Sequence, residues 1–311
     1  MAFGFNSTTD DVLAGVDLTG KTILVTGASG GLGEETARAL AARGASVTIA
    51  ARSQDKLDAA AARIGKGTGK KVETGLLALD RPESVRTFAE TWMAGHDQLN
   101  ILINNAGVMA CPLSRTKEGW EMQFATNHLG HFLLTNLLLP ALKKGAPGRV
   151  VNLSSAAHRY ATVDLEDPNF VSRDYNPQVA YGQSKTANVW FTRELDKRLA
   201  GDGIRAFAVQ PGGIHTDLGR HMSQEQLNAT LQYMEDQGVA LKTIPQGAAT
   251  TCWGATSSDL KGKGGGYLED CGVAGPSPGP EEPLGYAPHA VDARGAANLW
   301  VLSNKLLGTE F

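Results

Sequence analysis

Lys21-Thr22-Ile23-Leu24-Val25-Thr26 runs directly into Gly27-Ala28-Ser29-Gly30-Gly31-Leu32-Gly33 and on into Glu34-Glu35-Thr36-Ala37-Arg38-Ala39-Leu40-Ala41-Ala42-Arg43. The first piece is short, apolar and β-branched, which is the pattern of a strand. The third is rich in helix formers, and Gly44 after it is a natural C-terminal stop. Strand, glycine turn and helix, in that order, are the context of a dinucleotide-phosphate site. The glycines permit a tight turn and let backbone approach a pyrophosphate. The helix start then offers free N–H groups and the positive end of its dipole.

The next strand, Ser46-Val47-Thr48-Ile49-Ala50-Ala51, ends where such folds often carry an acid for a ribose 2′-hydroxyl. No acid stands there, and Arg52 follows at once. A carboxylate would repel a 2′-phosphate, whereas a guanidinium can pair with it bidentately. This favours NADP(H) over NAD(H).

Outward from these units, strand-like and helix-like stretches alternate. Strands are expected at 72–79, 99–103, 149–153, 204–209 and 266–268, and helices at 83–94, 120–142 and 181–199. The alternation implies an α/β fold, a doubly wound Rossmann domain whose parallel sheet is covered by helices on both faces. Residues 1–311 read as one such domain, with no repeat and no linker. Residues 1–20 look like an appended helix capped by Ser7 or Thr8. The stretch 272–288, in the tail 272–311, is rich in Pro and Gly and reads as a surface crossing. Ligands of such sheets bind beyond the carboxyl ends of the strands. Asn104-Asn105-Ala106-Gly107, Ser154-Ser155 and Pro211-Gly212-Gly213-Ile214-His215-Thr216 each follow a strand there.

Size and charge exclude several classes. With 311 residues and 42% hydrophobic content, the chain can bury one large core. A net charge of −3 and 6% aromatics argue against nucleic-acid binding. Residues 1–11 lack the basic and apolar regions of a signal peptide. The longest apolar stretch, 132–142, is broken by Thr135, Asn136 and Pro140 and is too short to span a bilayer. Three cysteines without metal spacing suit a reducing cytoplasm. The run 65–71 imitates a phosphate loop, but Ile64 stands at the first glycine position and a strand follows instead of preceding it. It reads as a basic turn. His128 and His131 lack a third ligand, so no metal is expected.

Six tyrosines lie in the chain, and only Tyr181 has a lysine four residues on, Lys185. On a helix these positions share a face. A neighbouring ammonium favours phenolate and would bring the phenol towards useful acid–base behaviour near neutrality.

Thr26-Gly27-x-x-x-Gly31-x-Gly33, Asn104-Asn105-Ala106-Gly107, Asn127, Ser155, Tyr181-x-x-x-Lys185 and Pro211-Gly212, in that order, resemble the short-chain dehydrogenase/reductase superfamily over nearly the whole length. The long interval between Ser155 and Tyr181, Arg52, and the tail Gly265-Gly266-Tyr267-Leu268-Glu269-Asp270-Cys271 resemble its retinol dehydrogenase and WW-domain oxidoreductase branch. No WW module or membrane anchor is evident, which points to a soluble, bacterial-type relative. The resemblance implies Tyr181 as general acid/base and Lys185 as the group that lowers its pKa and holds the nicotinamide ribose. It implies Ser155 as donor to the substrate oxygen, with Ser154 the weaker candidate, and Asn127 as the holder of a proton-relaying water. Asp80 would face the adenine. Asn105, Ala106 and Gly107 would line the adenosine side, and Ser29 and Leu32 the pyrophosphate. Ile214 and Thr216 would bind the carboxamide, beside Pro211 and Gly212.

The expected reaction interconverts a carbonyl and an alcohol by hydride transfer. The pocket is expected from Val108-Met109-Ala110, the insert 156–180 and a substrate lid at 215–240. That lid carries Leu218, Met222, Leu227, Leu231, Tyr233 and Met234 at helical spacing. Such a surface favours an apolar, bulky substrate and is expected to close over it. The alternatives are a non-catalytic dinucleotide-binding regulator and a light-dependent protochlorophyllide reductase. The latter relies on a cysteine before the Tyr-x-x-x-Lys helix, and none lies between Ser155 and Tyr181. The apolar faces of the Asn127 and Tyr181 helices could pair subunits into a homodimer or homotetramer, or the insert and tail could block them.

Overall fold

The computed structural model describes residues 3–222, 225, 228, 229, 232, 240–279 and 284–311. Strand β1 (Thr22–Thr26) leads through the glycine turn into α2 (Gly31–Ala42), after a short α1 (Thr9–Val12). Then come β2 (Ser46–Ala51), α3 (Gln54–Thr68), β3 (Glu73–Leu76), α4 (Pro82–Gly95) and β4 (Ile101–Asn104). The second half carries β5 (Gly148–Leu153), α8 (Pro177–Leu199), β6 (Ile204–Val209), β7 (Gly213–Ile214) and β8 (Leu241–Lys242). It ends with α9 (Ile244–Thr256), β9 (Gly266–Glu269), β10 (Gly272–Val273) and α10 (Ala293–Leu307).

The main sheet has the order β10-β9-β6-β5-β4-β1-β2-β3 and is parallel except for β10, which runs antiparallel to β9. The order reverses between β1 and β4, and a crevice opens there beyond the strand ends. Alternate residues of each strand face opposite sides. Ile23, Val25, Ile101, Ile103 and Val151 pack with α2, α3 and α9 on one face. Leu24, Leu102 and Val150 pack with α4, α8 and Trp300 on the other. Both faces are therefore dry, which explains why the strands read as unbroken apolar runs.

Two expectations are corrected. The helix expected over 120–142 is broken. It comprises α5 (Met122–Phe124), a π-helical turn Ala125–Leu129, α6 (Gly130–Leu137) and α7 (Leu139–Lys144). Pro140 supplies no N–H to the preceding turn, so the chain restarts at Leu139. Gly130 lies so close to the end of β3 that a Cβ there would stand 2.3 Å from the Leu79 carbonyl oxygen. The basic turn expected at 65–71 is, up to Thr68, the last turn of α3, and Gly69 closes it in the left-handed region at φ +69°. Beyond the 272–288 stretch the tail adds a helix. Asp292 caps α10, Gly308 ends it, and Leu299 and Trp300 bury against the core.

At the N-terminus Thr8 forms a capping box with Asp11. Thr9 binds Glu35, and Arg38 joins Glu35 to Asp10, which fixes the extension to α2. Among the described residues no helix is long and apolar enough to cross a membrane.

Candidate active site

A cavity of about 1030 Å³ runs along the carboxyl ends of β1, β2, β4, β5 and β6. Its wall includes Gly27, Ser29, Gly31, Leu32, Gly33, Arg52, Asn105, Ala106, Gly107, Ser155, Tyr181, Lys185, Pro211, Gly212, Ile214 and Thr216. Residues far apart in sequence thus converge on one crevice.

The glycine turn is built for close backbone approach. A Cβ on Gly27 would lie 2.6 Å from the Ala106 Cα, and one on Gly33 would lie 2.5 Å from the Gly27 carbonyl oxygen. Asn105 secures the turn, its Nδ2 donating to the carbonyls of Thr26 at 2.8 Å and Gly27 at 3.2 Å. Thr26 Oγ1 accepts the N–H groups of Asn105 and Ala106. Its own proton is then directed at His131 Nε2, 2.9 Å away, and His131 Nδ1 donates to the Asn127 carbonyl. Burial holds His131 down to about 4, so it stays neutral as this bridge needs. His128 contacts Ser303 of α10 instead.

At the outer end Arg52 is joined on the wall by Ser53, Lys56 and Arg81. Ser53 caps α3, whose first turn carries Lys56. Sequence reasoning missed Lys56 and Arg81. A base four residues after Arg52, inside a capped helix start, was the available signal. Asp80 is flanked by the wall residues Leu79 and Arg81. Its Oδ1 is buried without a hydrogen-bond partner among the described residues. The close-packed glycines, the cationic end and this orphaned acceptor are together fit for a phosphorylated dinucleotide.

At the inner end Tyr181 and Lys185 stand one turn apart on α8, both buried. Ser155 shares the cavity wall with Tyr181, and its hydroxyl draws the Tyr181 pKa down. Lys185 Nζ donates to the Leu153 carbonyl at 3.0 Å and lies 5.5 Å from the Tyr181 ring centre. The expectation that Lys185 lowers the phenol pKa is corrected for this state. Burial pushes Tyr181 up to about 12, against a downward pull from Ser155, and pushes Lys185 down to about 8. The Lys185 ammonium donates to the Leu153 carbonyl, and burial sets the direction of the phenol shift.

Ser154 also lines the cavity, but its Oγ is engaged, donating to the Lys185 carbonyl at 2.9 Å. Asn127 is fully buried. Its Oδ1 accepts from Val108 N at 2.8 Å, and its Nδ2 donates to the Val108 carbonyl and to Ser184 Oγ. The side chain therefore clamps the substrate loop to α8, with both its donors engaged.

The rest of that loop is fixed from the insert and α5. Ala110 N donates to Gln123, and the Tyr175 hydroxyl bonds the Cys111 carbonyl and Glu121. On the opposite wall Gly212, at φ +99°, lies against buried Lys242, which pairs with Asp270. The pairing of Gly213 with Leu241 and of Ile214 with Lys242 joins the two ends of the lid segment. Leu218 and Met222 line the cavity. Leu227, Leu231, Tyr233 and Met234 lie outside the described residues.

Comparison with known proteins agrees with this architecture. Residues 21–227 match the short chain dehydrogenase family model. The chain is 44% identical over 292 residues to the short-chain dehydrogenase/reductase prx1 of Penicillium roqueforti, covering 92% of this chain and 85% of that one. It is also 44% identical over 294 residues to human retinol dehydrogenase 12, covering 94% and 88%. A crystal structure of a putative uncharacterized protein from Mycobacterium paratuberculosis superposes with a TM-score of 0.75 at 39% identity, over 98% of this chain and 99% of that one. The chain belongs to the short-chain dehydrogenase/reductase superfamily, in its retinol dehydrogenase-like branch, and is an oxidoreductase of the carbonyl–alcohol type.

Proposed function

We propose that the protein is an NADP(H)-dependent enzyme interconverting ketones or aldehydes with alcohols on apolar, bulky substrates. The observation that carries this reading is that Ser155, Tyr181 and Lys185 share the wall of one cavity with the glycine turn and Arg52. The dinucleotide, when bound, supplies the hydride and, once oxidised, a positive charge. Ser155 and Tyr181 present hydroxyl donors where negative charge develops on the substrate oxygen, which stabilises that charge in a site shielded from water. Tyr181 then transfers its proton as general acid, or removes one in the reverse direction. A pKa of about 12 keeps Tyr181 protonated and ready to donate in the reductive direction. Lys185 holds the nicotinamide ribose hydroxyls, and Asn127 keeps Val108 and α8 in register.

Arg52, Lys56 and Arg81 favour a 2′-phosphate, and no acid ends β2 to repel it. Val108, Met109, Leu218 and Met222 give the substrate end apolar contacts. Similarity to a retinol dehydrogenase agrees with an apolar alcohol or aldehyde. A panel of small and bulky ketones and aldehydes, assayed with NADPH and with NADH, tests this. Turnover of bulky apolar carbonyls with NADPH is expected. Cofactor binding without turnover of any carbonyl would favour a regulatory dinucleotide-binding protein instead.

A further inference from the structure

Ser155 is gripped from behind by a residue that does not reach the cavity wall. His158 is fully buried at the centre of the short helix Ala156–Tyr160. Its Nδ1 lies 2.8 Å from the Ser155 carbonyl oxygen, and its backbone N–H donates to that same oxygen at 3.0 Å. Its Nε2 accepts the Ala287 N–H at 3.0 Å. Since Nε2 accepts, the ring proton is on Nδ1, which donates to the Ser155 carbonyl and, more distantly, meets the Tyr267 hydroxyl at 3.2 Å. Burial holds His158 down to about 4, which preserves this neutral form. The surroundings are equally fixed. His289 Nε2 meets the His158 carbonyl at 2.8 Å, Trp190 Nε1 donates to the His289 carbonyl at 2.7 Å, and the Tyr267 ring lies 4.8 Å from the imidazole.

We propose that His158 is a positioning residue that orients Ser155, and that the C-terminal segment 286–289 completes the active site by locking His158 in place. The residue type follows from the two backbone groups on its opposite edges, the Tyr267 hydroxyl lying beside the Nδ1 edge. The Ser155 carbonyl needs a donor on one side and the Ala287 N–H needs an acceptor on the other. A neutral imidazole offers one of each on opposite edges. With its carbonyl held twice and its Oγ accepting from Ala157 N at 3.2 Å, Ser155 has little freedom left, which keeps its hydroxyl on the cavity wall it shares with Tyr181. Small displacements of a donor in a catalytic site are costly, so a distant strut can govern the chemical step.

The proposal rests on Ser155 contacting the substrate oxygen, and the test separates the two ideas. Asn at position 158 can imitate the Nδ1 donor, and Gln can imitate the Nε2 acceptor. Kinetics would be compared for wild type, His158→Gln, His158→Asn, Ala287→Pro and Ser155→Ala, using a bulky aryl aldehyde with NADPH and the matching alcohol with NADP. Ala287 has φ −71°, already suited to proline, so that substitution removes one N–H and leaves His158 intact. His158→Gln should lower kcat roughly 10–100-fold with NADPH affinity unchanged. It should also move the rising, acidic limb of alcohol oxidation to higher pH, because Ser155 no longer pulls the Tyr181 pKa down. His158→Asn should keep most of kcat, and Ala287→Pro should show a smaller loss of kcat than His158→Gln. In long-range ¹H–¹⁵N spectra His158 should be the neutral Nδ1–H tautomer.

A His158→Gln enzyme with wild-type melting temperature, kcat and pH limb would overturn the proposal, as would an Nε2–H tautomer. Equal losses in the Gln and Asn variants together with weakened NADPH binding would mark His158 as mere packing, and overturn it too. Full activity in Ser155→Ala would overturn the reading of Ser155 and this proposal with it. Loss in Ser155→Ala without loss in His158→Gln would overturn this proposal alone.

Discussion

The two ends of the cavity are built on different principles. At the nucleotide end, β1, the glycine turn and α2 follow one another within about twenty residues, and backbone shape does the recognising. At the substrate end, Ser155, Tyr181, the 108–111 loop and the C-terminal segment converge from distances of many tens of residues. Side chains such as Asn127, Tyr175 and His158 hold them there. A site made of local backbone tolerates little change in bulk. A site made of long-range contacts depends on buried polar groups that must all stay paired.

The largest effect expected falls at the substrate end. Tyr181→Phe should reduce kcat by roughly the 10²–10⁴-fold typical of acid–base groups, with NADPH affinity nearly unchanged. Lys185→Met should damage both, because it reaches ribose as well as tyrosine. Retention of most activity by the Phe variant would remove the distinction between the two ends.

Acid should strike both ends at once. Burial depresses His128 to about 3 and His131 and His158 to about 4, from an ordinary 6.5. The unfolded chain binds these protons below about pH 6.5 and the folded chain does not, so stability is present above that pH. It is lost as pH falls towards 4, at up to about 1.4 kcal/mol per pH unit for each histidine. Urea midpoints measured from pH 7 to pH 4.5 should fall accordingly. A flat profile would mean that the three rings are not held neutral.

Bulk at the nucleotide end comes next. Gly33→Ala places a Cβ 2.5 Å from Asn105 Nδ2 and from the Gly27 carbonyl oxygen. Such overpacking should cost about 1–3 kcal/mol, with a lower melting temperature and weaker NADPH binding. Gly30→Ala is the control. Gly30 has extended backbone and open space around it, so the fold should tolerate alanine. Equal damage at both positions would show that local packing does not set the turn.

A subtler contrast lies within the nucleotide end. Arg52→Ala should weaken NADPH by roughly the 1.5–3 kcal/mol of a charge-assisted hydrogen bond and leave NADH nearly unchanged, as read by isothermal titration. Equal losses for the two cofactors would show that Arg52 does not read the phosphate. A smaller loss than this range would indicate that Lys56 and Arg81 share the task.

By itself the sequence determined the α/β alternation, the strand–glycine turn–helix unit and the pairing of Tyr181 with Lys185 on one helix face. Each is local, and a period of two, a glycine step or an i, i+4 spacing encodes it directly. Helix α10 was legible in the same way, from Asp292, the apolar set Ala296, Leu299 and Trp300, and Gly308, yet the Pro- and Gly-rich stretch before it obscured the pattern. Only the tertiary structure decided the rest. It broke the helix around Asn127, because Gly130 must approach β3 and Pro140 cannot continue a turn. It tied the Ser154 hydroxyl to the Lys185 carbonyl, although both serines line the cavity. It raised the Tyr181 pKa where spacing alone implied the opposite, because burial acts through the whole surrounding volume and a sequence interval records only one neighbour. And it brought Ala287 to His158 across a separation of 129 residues, a contact that no local pattern encodes.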